Sequence, residues 1–216
     1  MNACIHLNSE GLLQKSHGGA SPRAPGTHQV LDERQFERVG ERGKLAQNAA
    51  GRVRDGQSLM IDAGSTTMEF ARALAHAGTR ITAITNSLQV AMILGTSRDA
   101  RVIMTPGHYL NAEAALIGTE TCAFLRRYHV DACFLGASAL NDAGVSEAVE
   151  GFADVKQTML EQSVQRYFLI DARKFGTAHL TKVAEICDIG TLITDVRPTD
   201  ALAKALEQQG VEILLP

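Results

Sequence analysis

Ser58-Leu59-Met60-Ile61-Asp62-Ala63-Gly64-Ser65-Thr66-Thr67 is the stretch on which the fold turns. A short apolar run ends in an acid, meets a glycine, and passes through three hydroxyl side chains into a segment with helical spacing. Continuous apolar runs of this length suit strands buried on both faces, which belong to parallel sheets. A parallel strand needs a crossover, and the segment that follows supplies one.

The same order recurs along the chain. Apolar runs lie at residues 58–62, 80–85, 101–104, 130–135, 167–171, 191–194 and 211–215. Segments of helical spacing lie at 36–53, 67–76, 88–94, 120–128, 154–165 and 200–208. Alternation of this kind predicts an α/β fold, a mostly parallel sheet with helices on both faces. Before it, Gly18, Gly19, Pro22, Pro25 and Gly26 crowd into a polar segment that reads as a linker or extended arm.

In an open parallel sheet, ligands bind where strands end and helices begin. Asp62-Ala63-Gly64-Ser65-Thr66-Thr67 follows the first run and Thr85-Asn86-Ser87 the second. Gly136-Ala137-Ser138 follows the fourth, and Asp171-Ala172-Arg173-Lys174-Phe175-Gly176 the fifth. Gly64 permits a tight turn and close approach, three hydroxyls follow, and a helix start offers unpaired N–H groups to an anion. That reads as a phosphate cradle. A plain helix cap at Ser65 or Thr66 accounts for the same residues. Lys174 adds a mobile ammonium where a solvated surface lysine is the ordinary alternative. Glu147 and Glu150 read either as acceptors of sugar hydroxyls or as first-turn helix charges.

Much is excluded. No Walker A loop and no Gly-x-Gly-x-x-Gly is present, so neither triphosphate hydrolysis nor dinucleotide binding is expected. The 216 residues carry a formal net charge of −3, which gives no chain-wide nucleic-acid footprint. Cys4, Cys122, Cys133 and Cys187 stand too far apart for a zinc knuckle or redox pair and read as structural thiols of a reducing compartment. His17 and His108 read as structural too. No cofactor and no metal are expected, no apolar run is long enough to span a bilayer, and the location expected is cytoplasmic.

Taken together, Ile61 to Thr67, Thr85-Asn86-Ser87, the run Val130 to Gly136, Asp171 to Gly176 and Ile193-Thr194-Asp195 resemble, in their order, the effector-sensing domain of DeoR-family bacterial transcription regulators. That group includes the glycerol-3-phosphate repressors. The resemblance implies a fold like that of ribose-5-phosphate isomerase, glucosamine-6-phosphate deaminase and coenzyme A transferases. It implies a homo-oligomeric repressor without enzymatic activity, whose effector is a phosphorylated sugar or polyol. By residue-level match the phosphate turn is Gly64, Ser65, Thr66 and Thr67 with Asp62 at its base; Thr85, Asn86 and Ser87 line the cleft, and Lys174 reaches into it. Gly136 and Glu147 complete the expected site. Residues 1–31 look like the tail of a winged helix-turn-helix plus linker, and 32–216 like the sensor. Operator DNA is then reached only through a mostly missing N-terminal domain.

Two departures from the family pattern stand out. Pro106-Gly107-His108 replaces a common Gly-Gly pair, and residues 144–154 differ from the usual run before the helix. The competing reading is an isomerase or deaminase of sugar phosphates using Glu147, Glu150 or Asp171 as base. Gly136-Ala137-Ser138-Ala139 stands where the isomerase carries Asp-Gly-Ala-Asp, which favours the sensor.

Overall fold

The computed structural model describes residues 13–16, 19–22, 31 and 39–216. Its centre is a seven-stranded sheet built from β3 (Ser58–Ile61), β4 (Ile81–Thr85), β5 (Ala100–Met104), β8 (Val130–Leu135), β11 (Ser163–Leu169), β13 (Thr191–Ile193) and β14 (Glu212–Leu214). The order is β14-β13-β11-β8-β3-β4-β5, and every pairing is parallel. All seven expected strands are there. Among the described residues six helices accompany them: α1 (Val39–Ala50), α2 (Ser65–Ala77), α3 (Leu88–Leu94), α4 (Thr119–Leu125), α5 (Phe152–Glu161) and α6 (Asp200–Gln208).

Successive strand residues point to opposite faces, so each strand feeds two cores. Leu59, Ile61, Ala132, Phe134 and Leu169 pack beneath α1, α2 and α3 with Leu45, Met68, Leu74 and Val90. Met60, Cys133, Leu135, Phe168 and Leu192 pack beneath α4, α5 and α6 with Leu125, Met159, Leu160 and Leu206. On the first face Phe134 stacks between Phe70 and Tyr167, with ring centroids 4.2 and 4.6 Å away. Each fully buried aromatic or aliphatic side chain contributes roughly 1.5–3 kcal/mol.

Three features depart from the expectation. Strand β11 begins at Ser163, inside the segment expected to be helical to Gln165. Its first four residues are exposed or half-buried and all but Val164 are polar, so no apolar run marks them. A three-stranded antiparallel sheet, β12 (Thr181–Ala184), β10 (Gly144–Glu147) and β9 (Ala139–Asn141), was not expected, nor was the hairpin of β6 (His108–Leu110) and β7 (Ala115–Ile117). Strands of three or four residues are too short for a period-2 signal. Ahead of the sheet, β1 (Leu13–Ser16) and β2 (Gly19–Pro22) pair antiparallel across the start of the segment read as a linker. The rest of that segment and residues 1–12 lie outside the described residues.

Among the described residues no helix is long and apolar enough to cross a membrane. Cys122 and Cys133 are buried as expected, whereas Cys187 is exposed. Cys4 lies outside the described residues.

Candidate functional site

Between β3 and β8 the strand order reverses: the chain runs outward through β4 and β5, then returns to β8 and continues the other way. Loops on either side of such a point diverge and leave a crevice at the carboxyl ends of the strands. Gly64, Ser65, Thr66, Gly136, Glu147 and Lys174 line that crevice, together with Glu113, Ser138 and Phe152. It encloses about 20 Å³ behind its mouth, room for one water.

One wall is the start of α2. Gly64 occupies the N-cap position and no side chain caps the helix, so the plain-cap reading of Ser65 and Thr66 does not describe it. The first intrahelical bond is Met68 N–H to the Gly64 carbonyl, 3.0 Å, so the N–H groups before it have no acceptor within the helix. Gly64 itself has extended torsions, φ 162 and ψ 161, and an added Cβ meets only Thr67 Oγ1 at an ordinary 3.6 Å. An added Cβ at Gly136 meets nothing within 4 Å. The turn therefore demands glycine at neither position. Gly144 is the contrast: at φ 109, an added Cβ would sit 2.1 Å from the Ala184 carbonyl.

The floor is a buried charge network. Lys156 Nζ donates to Asp62 Oδ2 at 2.5 Å and to the Gly136 carbonyl at 2.7 Å, and pairs with Glu147 Oε1 at 2.8 Å. The Gly136 N–H donates to both Asp62 oxygens, at 3.1 and 3.2 Å. Ser138 Oγ donates to Glu147 Oε2 at 2.5 Å. That bond follows from strand register: Ala139 pairs with Ser146, so the next step sets Ser138 against Glu147. One ammonium thus serves two carboxylates. Burial pushes the Asp62 carboxyl up, and Lys156 does not fully offset it. For Glu147 burial is outweighed by the Lys156 ammonium and the bonds from Lys156 and Ser138, which hold it below the usual range. Burial opposes the Lys156 charge, but the two carboxylates prevail and raise its pKa.

Lys174 enters from the short 3-10 turn Ala172–Lys174, capped by Asp171, which accepts the Arg173 N–H. Its Nζ donates to the Ala137 carbonyl at 2.5 Å. Glu113, 1 % exposed, comes from the turn between β6 and β7. Ala114 beside it has φ 47, the one positive φ of a non-glycine among the described residues.

Of the expected residues, six line the cleft, and Asp62 and Asn86 line a narrow recess adjoining it. Thr67, Thr85 and Ser87 line neither. The Thr67 hydroxyl donates to the Asp62 and Gly64 carbonyls, Thr85 Oγ1 accepts the Ser87 N–H, and Ser87 Oγ accepts the Val90 N–H as the cap of α3. Glu150 is exposed and Asp171 is occupied at its turn. Lys156, Glu113 and Phe152 escaped the sequence reading, whereas Ser138 belongs to a strand-end segment it named. Lys156 left a signal: it falls on the buried face of α5 with Phe152, Val155, Met159 and Leu160, where an apolar residue is the rule. Among the described residues no cluster of His, Cys, Asp and Glu could hold a metal ion.

Residues 37–196 match the family model of the DeoR C-terminal sensor domain. The transcriptional regulator GlpR of Haloferax volcanii is 30% identical over 210 residues, 96% of this chain and 82% of that protein. The glycerol-3-phosphate regulon repressor of Escherichia coli is 26% identical over 211 residues, 97% of this chain and 83% of its own length. Among solved structures, eIF2B delta of Chaetomium thermophilum superposes with TM-score 0.53 at 15% identity, over 72% of this chain and 56% of that one. Ribose 5-phosphate isomerase A of Methanocaldococcus jannaschii aligns at 17% identity and TM-score 0.46, over 63% of this chain. The chain spans about half of that enzyme, 54%.

Proposed function

The chain belongs to the family of DeoR C-terminal sensor domains, and from that premise we propose that the cleft at the β3–β8 switch point binds a phosphorylated sugar or polyol as effector of a transcriptional repressor. The observation that carries this reading is the pair of glycines that the backbone does not need. Gly64 and Gly136 face the cleft, and neither is held by torsion or crowding, so the space that a side chain would fill there is open to a ligand.

The chemistry around that space is divided. The open end of α2 and the Lys174 ammonium suit a phosphate, with Ser65 and Thr66 supplying hydroxyls. Glu113 and Glu147 suit hydroxyl donors and repel a second anion. A ligand with one anionic end and a hydroxylated body satisfies both. Asp62 and Lys156 hold the Gly136 peptide in place from below.

The reading is of a sensor, not an isomerase or deaminase. A catalytic base works best with a pKa near the working pH. Glu147 is held low by Lys156, and the neighbouring Lys174 and Arg173 hold Asp171 low against the effect of burial. We place the protein in the cytoplasm, with residues 1–31 as the tail of a winged helix-turn-helix and its linker and 32–216 as the sensor, and with a homo-oligomer as the switching unit. The effector acts by preferring one arrangement of that oligomer, since equal affinity for both would shift nothing.

A thermal-shift screen of sugar and polyol phosphates, each beside its unphosphorylated parent, tests the reading, because a ligand that binds only the folded state raises Tm. A phosphorylated compound should raise Tm where its parent does not. Lys174→Ala and Gly64→Ala should each reduce that shift by about 1–3 kcal/mol of binding while the unliganded Tm stays close to the parent's. A screen in which no phosphate ester shifts Tm would remove the cradle.

A further inference from the structure

Behind the cleft lies a recess lined by Asp62, Ala63, Asn86, Phe152, Val155 and Lys156, with no space for a water molecule. Asn86 is 1 % exposed. Its Nδ2 donates to the Leu116 carbonyl at 3.0 Å, which fixes the orientation of the amide, because a flip would set oxygen against oxygen. The oxygen left over, Oδ1, is buried and has no hydrogen-bond partner among the described residues. Buried acceptors are almost always satisfied, and one that is not calls for a reason.

The Phe152 ring stands where recess and cleft adjoin, lining both together with Ala63 and Lys156. It is 4 % exposed and lies over the Lys156 ammonium, 5.8 Å from Nζ to the ring centroid. Phe152 opens α5 directly after Gly151, whose φ is 82. A side chain at the first position of a helix, next to a left-handed glycine, has fewer helical neighbours than one further in.

We propose that the recess is the hydroxyl-reading half of the cleft: with the Phe152 ring turned aside, a hydroxyl of the ligand donates to Asn86 Oδ1. This rests on the phosphate-ester reading of the cleft and narrows it to esters whose body carries a hydroxyl within reach of Asn86. The donor is a hydroxyl because Asn86 Oδ1 is a neutral acceptor, and a hydroxyl meets it without burying a further charge beside the Lys156 ammonium that lines the same recess. An ester lacking that hydroxyl would leave Oδ1 unpaired, and sites built around a buried polar group reject such analogues strongly.

Calorimetric titration separates the two halves. The probes are inorganic phosphate, which reports on the cradle alone, and hydroxylated phosphate esters of three to six carbons, each with its singly deoxygenated counterparts. In the parent, the tightest ester should bind at least tenfold better than one of those counterparts. Asn86→Ala should reduce that preference to within about threefold and leave inorganic phosphate unaffected. Phe152→Ala should tighten the hydroxylated ester severalfold, and should not do so once Asn86 is Ala. The comparison of esters on the parent needs no substitution, so it holds even if Asn86→Ala folds poorly. Equal binding of every ester and its deoxy counterparts, with phosphate bound, would overturn the subsite and leave the cradle standing. If the parent bound neither phosphate nor any ester, the cradle would fall first and the subsite with it.

Discussion

Strands β3 and β8 are clamped at both ends by an aspartate, and the two clamps differ in almost everything else. At the amino end Asp131 of β8 accepts from Ser58 N–H and Ser58 Oγ, each at 2.7 Å, and is exposed. At the carboxyl end Asp62, 1 % exposed, accepts from the Gly136 N–H and from Lys156. The bonds from Ser58 hold Asp131 below the ordinary carboxylate range, whereas burial lifts Asp62 above it. The exposed clamp can be met by a serine and water. The buried clamp requires an ammonium, and that ammonium then serves a second carboxylate and draws the β9–β10 hairpin into the site. Burial turns a strand brace into a network on which a ligand site is built.

The difference is tested first by removing the ammonium. Lys156→Ala leaves two carboxylates buried without a counter-charge and should cost about 3–5 kcal/mol in urea unfolding. A loss under about 1 kcal/mol would mean that water reaches the network and that the two ends are alike.

The second test concerns the sign of the pH dependence. A carboxyl with a raised folded pKa favours folding at low pH, and its contribution falls as pH rises from its unfolded value through the folded one. One with a lowered folded pKa contributes above the unfolded value and loses that contribution as pH falls through the folded one. Unfolding of Asp62→Asn and Asp131→Asn against the parent, followed from below the ordinary carboxylate pKa of about 3.9 up to neutrality, should therefore diverge. Asp62→Asn should gain on the parent as pH rises, and Asp131→Asn should fall behind it. Parallel curves would erase the distinction.

A smaller effect follows for Asp131→Ala, which removes bonds in an exposed setting and should cost about 1 kcal/mol or less. Least of all is expected from thiol labelling. Cys133 lies on β8 between the clamps, and burial pushes its thiol up to about 12, so it should resist alkylation while exposed Cys187 reacts. Labelling of Cys133 should rise in Lys156→Ala and stay at the parent's level in Asp131→Ala. Mass mapping distinguishes the sites, and equal labelling in both variants would contradict the ranking.

Much of the cleft was legible because its residues follow apolar runs. Gly64, Ser65, Thr66, Gly136 and Lys174 sit directly after β3, β8 and β11, and the sheet carries all such segments to one edge. Thr67, Thr85 and Ser87 share that position, but their hydroxyls turn toward nearby backbone groups, a choice that local composition does not reveal. Lys156 was missed because a lysine within a helical segment is ordinarily a surface residue. Only the packing of α5 over β8 turns it inward, where two distant carboxylates await it.

By itself the sequence determined the class of fold, the seven parallel strands and the edge at which chemistry gathers. Those rest on apolar runs and breaks whose period is local, and a local period survives without knowledge of neighbours. Tertiary structure alone decided which strands lie side by side, where their order reverses, which hydroxyls remain available, and that Lys156, Glu147 and Asp62 meet. These depend on contacts across as many as 94 residues of chain, from Lys156 to Asp62, and on the cost of burying charge. No short window of sequence contains either quantity.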